Sequence, residues 1–265
     1  MMFEQKTEII FNKNVALKTF LLGIRSQEIA AHAIPGQFVM LRIGKGPDPL
    51  LRRPFSISGT RDQDLVLILY KVVGKGTALL QEKRAGEGLS VLGPLGRGFG
   101  LPDDEQVPLL VAGGIGVAPL FFLAQTIHTT NTQIMMGFGS SNEIIPVDVM
   151  GDFKIQYSIS TDDGTHGHGG LVTELLATSL EKHTWHPSSL SLFSCGPKPM
   201  LKRVAEMALE HHIPCQVSIE AVMACGMGAC QGCVVRSGSH ETQTYQYVCK
   251  DGPVFFSHQI DWNQP

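Results

Sequence analysis

Short apolar runs separated by glycine and proline fill the first hundred residues. Residues 7–11, 37–43 and 65–73 are rich in β-branched and aromatic side chains, and turn-forming residues bound each run. Short strands at this spacing are typical of a small antiparallel barrel. Residues 86–100 contain six glycines, so we expect them to form turns that close the barrel.

The hydrophobic pattern then changes period. Strand runs alternate with helix-like stretches at residues 107–112, 118–128, 133–138, 154–160, 171–180, 191–195 and 199–211. Such alternation is typical of a parallel sheet with helical crossovers. Residues 213–265 show few helix signals and hold five of the six cysteines, four of them close together, which predicts a loop-dominated unit built around a metal centre.

Composition narrows the class of protein. Of the 265 residues, 43% are hydrophobic and 17% are charged, which excludes disordered and fibrous classes. The formal net charge of -3 offers no basic surface to nucleic acid. Residues 1–100 nevertheless hold 14 Lys and Arg against 8 Asp and Glu. This excess is either ordinary solvated surface or the site of a bound anion such as a phosphate.

No targeting or membrane segment is visible in the sequence. The N-terminal residues lack the apolar run of a signal peptide. The longest strictly apolar stretch of the uncharged region, residues 117–124, is far shorter than the ~20 residues that cross a bilayer. We therefore expect a cytoplasmic protein with no membrane partner.

Four cysteines follow the spacing C-x4-C-x2-C-x15-C and are Cys225, Cys230, Cys233 and Cys249. This spacing has the plant-type [2Fe–2S] form, in which four thiolates bind two irons. The intervening glycines allow the backbone to wrap a cluster and to point N–H groups at its sulfurs. The alternative is a structural zinc site, but zinc sites more often use two C-x2-C pairs and only one is present. Cys215 has no such context and is interpreted as structural.

An arginine beside an aromatic and a hydroxyl side chain occurs in the segment Arg53-Pro54-Phe55-Ser56. Such a set could hold a phosphate, stack on a flat ring and hydrogen-bond to its edge. Downstream, Gly76 and Thr77 begin an apolar helix whose free N–H groups could receive a pyrophosphate. Taken alone, an Arg-Pro-aromatic segment more often ends a strand than binds a ligand.

A second candidate site begins with the glycines of the segment VAGGIGVAP, which are Gly113, Gly114 and Gly116. A strand that runs into a glycine turn and then a helix can seat a dinucleotide phosphate, although Pro119 breaks the G-x-G-x-x-G pattern. The alternative is a tight turn without a ligand.

Two further residues follow predicted strands of the same sheet. Asp162 could accept hydrogen bonds from ribose hydroxyls and would repel a 2′-phosphate, which favours NADH over NADPH. Cys195 lies at the carboxyl end of a parallel strand, where ligands of such sheets bind. The alternatives are a turn aspartate and a core cysteine.

These motifs occur in order over nearly the whole chain. The segments RRPFSIS, VAGGIGVAPL, STDDGTHGHGG, SCGPKPM, MACGMGACQGC and VCKDGPVF together resemble the ferredoxin-NADP reductase superfamily with a C-terminal [2Fe–2S] domain. More narrowly, the sequence is similar to electron-transfer subunits of class 1B dihydroorotate dehydrogenases. The resemblance implies an all-β plus α/β fold. It comprises an antiparallel FAD-binding β-barrel at 1–102, a parallel-sheet NAD-binding domain at 103–212 and a small [2Fe–2S] domain at 213–265.

The resemblance also implies roles for single residues. FAD would be bound by Arg53, Pro54, Phe55, Ser56, Tyr70, Lys71, Val72, Gly76 and Thr77. Arg53 would bind the FAD phosphates and Ser56 would lie near the flavin N5, whereas Phe55 replaces the tyrosine that is common in the superfamily. The three glycines 113, 114 and 116 would cradle the NADH phosphates. Ser56 and Cys195 would be the catalytic residues, with Cys195 facing the nicotinamide.

Electron counting gives the expected function. NADH gives two electrons as a hydride, a [2Fe–2S] cluster takes one, and a flavin can do both. The resemblance implies a partner subunit that holds FMN and oxidises dihydroorotate to orotate in pyrimidine biosynthesis. It also implies a heterotetramer with two copies of each chain. The alternatives are an NAD(P)H–acceptor reductase subunit of another redox complex, such as a hydrogenase, sulfite reductase or ferredoxin-dependent transhydrogenase, and a non-enzymatic zinc module.

Overall fold

The computed structural model describes residues 1–44, 46, 48–127, 131–151, 155–182, 185–238 and 244–263. Its sixteen strands are β1 Phe3–Ala16, β2 Thr19–Arg25, β3 Phe38–Arg42, β4 Arg53–Ser56, β5 Gly59–Arg61, β6 Leu65–Lys71, β7 Gly88–Leu95, β8 Val107–Gly113, β9 Gln133–Phe138, β10 Gln156–Thr161, β11 His168–Gly169, β12 Leu190–Cys195, β13 Cys215–Ser218, β14 Val234–Arg236, β15 Tyr245–Tyr247 and β16 Val254–Phe256. Its α-helices are α1 Gln27–His32, α2 Lys75–Gln81, α3 Val117–Thr126, α4 Val172–Lys182 and α5 Lys198–Glu210.

The first seven strands form one antiparallel sheet in the order β4-β3-β7-β1-β2-β6-β5. The chain passes from β4 at one edge to β5 at the other through Ile57 and Ser58 only. The Ile57 N–H donates to the Gln37 carbonyl at 3.0 Å, and the Ser58 N–H donates to the Leu67 carbonyl at 2.8 Å. This short link joins the two edges, so the sheet is the predicted antiparallel barrel.

One expectation for the barrel is wrong. The glycines predict turns throughout residues 86–100, but residues 88–95 form β7, which pairs with both β1 and β3. The glycine at 93 is needed because a Cβ there would lie 2.7 Å from the Val39 Cγ1 atom. Glycine in this segment therefore permits close packing within a strand rather than breaking it.

The second sheet has the order β11-β10-β9-β8-β12-β13-β16 and is parallel apart from β16. The predicted strands and helices of residues 107–211 are present within about two residues of their expected bounds. Predicted positions 128 and 154 lie outside the described residues.

Helix α3 is buried along eight successive residues, from Val117 to Ala124. Most of its apolar side chains share one core with Leu110 and Phe193 of the second sheet and with barrel residues Leu67 and Leu69, whereas Phe122 packs into the other core of the barrel. Because α3 is apolar on all sides, it can pack between the barrel and the parallel sheet.

The C-terminal residues are divided between two structures. Strands β13 and β16 complete the second sheet, whereas β14 and β15 form a separate hairpin. Residues around the clustered cysteines, such as Met223 and Val248, share a core with Phe38 and Leu95 of the barrel. The predicted loop-dominated unit therefore contributes two strands to the preceding sheet, and the boundary at residue 212 stays a prediction. No helix among the described residues is long and apolar enough to cross a membrane.

Candidate functional site

A cavity of about 350 Å³ opens where the barrel meets the parallel sheet. Its wall brings together nine of the predicted site residues, which are Arg53, Pro54, Phe55, Ser56, Tyr70, Lys71, Thr77, Gly116 and Cys195. They come from β4, β6, α2, the turn before α3 and the end of β12. The fold thus gathers motifs separated by more than a hundred residues around one space.

Arg53 presents a cation to this cavity. One guanidinium nitrogen, Nη1, donates to the Leu51 carbonyl at 2.7 Å, and Arg53 forms no ion pair with any carboxylate that the structure describes. Gly76 does not line the cavity, but a Cβ at this position would lie 3.3 Å from the Arg53 Nε. Gly76 therefore gives the arginine room, and the charge of Arg53 is available to an anion.

Two other predicted residues have local roles in the loop before α2. Val72 lies outside the cavity wall, packs against the barrel core and donates its N–H to the Lys18 carbonyl at 2.8 Å. The Thr77 hydroxyl accepts hydrogen bonds from the N–H groups of Val73 and Gly74, at 2.9 and 3.1 Å. Thr77 thereby fixes the loop next to the cavity.

Aromatic rings form an apolar part of the wall. The rings of Phe55 and Tyr70 meet edge to face with centroids 5.9 Å apart. The Tyr70 hydroxyl donates to the Asn12 Oδ1 at 3.0 Å. Burial raises the pKa of Tyr70 to about 12, so the phenol stays neutral at physiological pH. A neutral, hydrogen-bonded wall of this kind suits a flat aromatic ligand.

Cys195, Ser218 and Glu220 line the side of the cavity opposite the barrel strands. Burial raises the pKa of the Cys195 thiol to about 12, and the charge of Glu220 acts in the same direction. Cys195 is therefore a neutral thiol rather than a thiolate nucleophile. Sequence reasoning missed Ser218 and Glu220, because neither belongs to a recognisable motif; Ser218 ends β13 and Glu220 lies two residues after it.

Glu220 gives a prediction about pH. Surrounding protein raises the pKa of its carboxyl, although solvent reaches it through the cavity. When the pKa of a carboxyl is higher in the folded than in the unfolded state, its contribution to folding stability is fully present at pH values below the unfolded-state pKa. This contribution is lost as the pH rises through the folded-state pKa. We therefore expect Glu220→Gln to match the wild type at about pH 4, below the unfolded-state pKa, and to exceed its Tm by about 2 °C at pH 8. Thermal melts at both pH values check this, with exposed Glu82→Gln as control, and a pH-independent difference would contradict it.

A second cavity, of about 530 Å³, continues along the carboxyl ends of the parallel strands. Three of the predicted nucleotide-site residues, Gly113, Gly114 and Asp162, line it. A Cβ on Gly113 would lie 2.7 Å from the Met200 Sδ, and Gly114 has a φ of +53°, so both positions favour glycine. Asp162 directly follows β10 and is exposed.

Gly116 lines the first cavity, and Lys71 lines both. A Cβ on Gly116 would overlap the carbonyl oxygen of Cys195, so this glycine lets the turn before α3 pack on the end of β12. Lys71 lines both cavities and its Nζ lies 3.0 Å from the Glu143 carboxylate. This ion pair joins the barrel to the second sheet at the point where the cavities meet.

The four clustered cysteines lie on two loops packed against the barrel. The Sγ atoms of Cys233 and Cys249 are 3.1 Å apart, and both residues are buried, whereas Cys230 is exposed. The Gly228 N–H donates to the Cys249 Sγ at 3.0 Å. Gly226 and Gly228 both have positive φ, +75° and +83°, so the loop turns tightly enough to direct N–H groups at sulfur.

Thiol acidity differs across this set. Partial burial raises the pKa of Cys225, but N–H groups of Met227 and Cys230 directed at its sulfur outweigh this effect and lower the pKa to about 6. Burial and the neighbouring Cys233 thiol raise the pKa of Cys249 to about 12. Backbone donors to sulfur are the contacts that stabilise thiolates and tune an iron–sulfur cluster.

The arrangement favours two irons over one zinc. The sulfurs of Cys233 and Cys249 form one close pair, and the Cys225 sulfur accepts the N–H of Cys230, so the four residues fall into two pairs. A [2Fe–2S] cluster needs two thiolates on each iron, which four sulfurs spread over two loops can supply. The residues present fit the cluster.

Solved structures support the fold. A chain of an NADH-dependent reduced ferredoxin-NADP oxidoreductase is similar with a TM-score of 0.84 and 29% identity, over 97% of this chain and 90% of that one. A ferredoxin NADP+ reductase from Neisseria gonorrhoeae, solved with bound FAD and NADP, has a TM-score of 0.64 and 20% identity, covering 78% and 91%. The second comparison concerns the fold alone.

Curated relatives are similar over nearly the full length. The dihydroorotate dehydrogenase B (NAD(+)) electron transfer subunit of Desulforamulus reducens is 38% identical over 251 residues, 94% of each chain. Its counterpart from Geobacillus kaustophilus is 37% identical over 98% of this chain and 99% of its own. Residues 220–261 match the family model for the iron–sulfur cluster binding domain of dihydroorotate dehydrogenase B. The chain therefore belongs to the family of dihydroorotate dehydrogenase B electron transfer subunits.

Proposed function

We propose that this chain transfers electrons between NAD(H), FAD and a [2Fe–2S] cluster for a partner subunit that holds FMN and oxidises dihydroorotate to orotate. The observation that carries the proposal is the convergence of nine motif residues on one cavity, with a glycine-lined cavity beside it. The names of the relatives support the pyrimidine context. When bound, FAD supplies the exchange between two-electron and one-electron chemistry.

In this proposal the barrel holds FAD. Arg53 binds its phosphates, and the loop before α2, with Gly76 and Thr77, receives the pyrophosphate. Phe55 and Tyr70 pack against the ring system. The remaining predicted FAD residues are Pro54, Ser56, Lys71 and Val72. The first three line the cavity, and Ser56 would hydrogen-bond to the ring.

The parallel sheet holds NAD(H). Gly113, Gly114 and Gly116 let the backbone approach the phosphates, and Asp162 accepts hydrogen bonds from the ribose. Cys195 borders the space for the nicotinamide. Its neutral thiol excludes water there without competing as a nucleophile.

The cysteine loops hold the cluster and feed the partner subunit, in a heterotetramer of two chains of each kind. Domain limits of 1–102, 103–212 and 213–265 belong to the same proposal. We place the protein in the cytoplasm, where reducing conditions keep thiols free to bind iron.

The direct test is to purify the chain anaerobically from its own cells and to assay the eluate for dihydroorotate-dependent NAD+ reduction. Activity together with a co-eluting FMN-bearing chain is expected. A different redox subunit without this activity would overturn the pyrimidine assignment.

A second candidate function is favoured by the similarity to the NADH-dependent reduced ferredoxin-NADP oxidoreductase. In that case the chain would serve a transhydrogenase complex. The same eluate would then show ferredoxin-dependent exchange between NADH and NADP+, and no dihydroorotate oxidation.

Arg53 gives a prediction for the flavin site. We expect Arg53→Gln to weaken FAD binding by about 10- to 100-fold, because a charge-assisted contact to phosphate is lost. FAD titration of the deflavinated protein measures this. The adjacent Arg52→Gln is the matched control, because Arg52 pairs with Glu4 and Ser90 outside the cavity. Equal FAD affinity in both variants would contradict the assignment.

A further inference from the structure

The second cavity, which Gly113, Gly114 and Asp162 line, also contains an arginine that has no role in the proposed binding of NAD(H). Four charged side chains line the cavity, and they are Lys71, Glu143, Asp162 and Arg203. Lys71 and Glu143 form an ion pair with each other. Asp162 forms no ion pair within the described part of the chain. Among the described residues that line the cavity, Arg203 is thus the remaining cation that a bound dinucleotide could contact.

The position of Arg203 follows from helix α5. Met200 packs against Gly113 in the phosphate-binding turn, since its Sδ would lie 2.7 Å from a Cβ there. Arg203 is three residues further on, so it starts from the same helix face, about 5–6 Å along. It therefore borders the cavity next to the glycine turn, within reach of a dinucleotide seated on that turn.

The guanidinium is not free in the structure. Its Nη1 lies 3.4 Å from a Glu206 oxygen and 3.5 Å from a Glu210 oxygen. These residues are three and seven positions further along α5, on the same face, so they draw the arginine along the helix. A 2′-phosphate in the cavity would have to compete with both carboxylates for Arg203 while Asp162 repels it.

We propose that Glu206 and Glu210 contribute to the selectivity for NADH over NADPH by holding Arg203 away from a 2′-phosphate. This inference rests on the proposed NAD(H) function of the cavity. Asp162 acts by repulsion, whereas the carboxylate pair acts by occupying Arg203, the cation in the described cavity wall that could otherwise bind the extra phosphate. Glu206 and Glu210 are therefore positioning residues that need not touch the coenzyme.

The test compares coenzymes in the holoprotein. In Glu206→Gln/Glu210→Gln we expect the ratio of kcat/KM for NADPH to that for NADH to rise about three- to tenfold, mainly through a lower KM for NADPH. A three- to tenfold change in this ratio is the size expected when Arg203 loses two partly exposed ion pairs. Calorimetric binding of 2′,5′-ADP relative to ADP should strengthen by the same factor. This second readout does not depend on turnover.

Two further variants make the test specific. Adding Arg203→Gln to the double variant should remove the gain, because the freed cation is gone. Glu105→Gln/Glu181→Gln removes the same formal charge from exposed positions elsewhere in the nucleotide-binding domain and should leave both ratios unchanged.

Each outcome is decisive. A gain that survives Arg203→Gln, or that the control pair reproduces, would mean a general charge effect and would overturn the inference. Unchanged ratios with normal NADH oxidation would also overturn it. Absence of NADH oxidation and ADP binding in the wild type would instead overturn the proposed function of the cavity.

Discussion

Replacing Cys249 by serine is expected to remove the iron–sulfur cluster and electron delivery to the partner. Its sulfur lies 3.1 Å from the Cys233 sulfur and accepts the Gly228 N–H, so it is embedded in the ligand set. We expect iron and acid-labile sulfide to fall below about a tenth of wild type, and partner-coupled activity to fall about 100-fold. NADH oxidation by ferricyanide, which can take electrons from the flavin, should stay within about twofold.

Cys215→Ser is the matched control for this experiment. Cys215 is also buried, but it lies in β13 and belongs to the sheet core rather than to the cysteine loops. Its variant should keep the cluster spectrum and the coupled activity. A Cys249→Ser protein that retained iron and colour would show that the ligand set is wrong. A wild-type protein with zinc and no colour would revive the structural zinc alternative.

Among substitutions that add a single methyl group at the site, Gly116→Ala is expected to lower the stability of the fold most. The new Cβ would overlap the Cys195 carbonyl oxygen and lie 2.7 Å from the Gly196 nitrogen. Both are backbone atoms, so no side-chain rotation can relieve the clash, and β12 must move away from the turn before α3. We expect a loss of about 3 kcal/mol in stability, or about 8 °C in Tm.

The same displacement should impair catalysis. Moving the end of β12 shifts Cys195 within the cavity, and a misplacement of about 1 Å can cost about 100-fold in rate. Gly88→Ala is the control, because Gly88 begins β7 outside both cavity walls and an added Cβ would meet only the Thr7 carbonyl oxygen, at 3.9 Å. Thermal melts and NADH–ferricyanide kinetics measure both effects. A Gly116→Ala protein as stable and active as the control would refute the close packing of the turn.

Local sequence signals accounted for much of the site. The cysteine spacing, the glycine turn and the Arg-Pro-aromatic segment are each local sequence patterns. Each of them indicates one kind of binding site. Their convergence on adjoining cavities required only that parallel strands present their carboxyl ends at one edge and that the barrel abut that edge. The alternation of strands and helices predicted the first of these conditions.

Features that depend on distant packing were missed. Strand β7 contains glycine and proline, which normally signal turns, and only its contact with Val39 explains why glycine is kept there. Strand β16 joins β13 across 35 intervening residues, so nothing local indicated that pairing. Glu220 and Arg203 are single charged residues without a motif, and their relevance appears only with the cavities that they line.

The burial of helix α3 on all sides has a consequence for how the protein can be divided. Barrel residues such as Leu67 and Leu69 complete their core only with this helix, which belongs to the following sheet. A fragment ending at residue 102 would leave that apolar surface in water and would tend to self-associate. The barrel and the parallel sheet should therefore unfold together in one cooperative transition, so neither half is suited to expression as an isolated module.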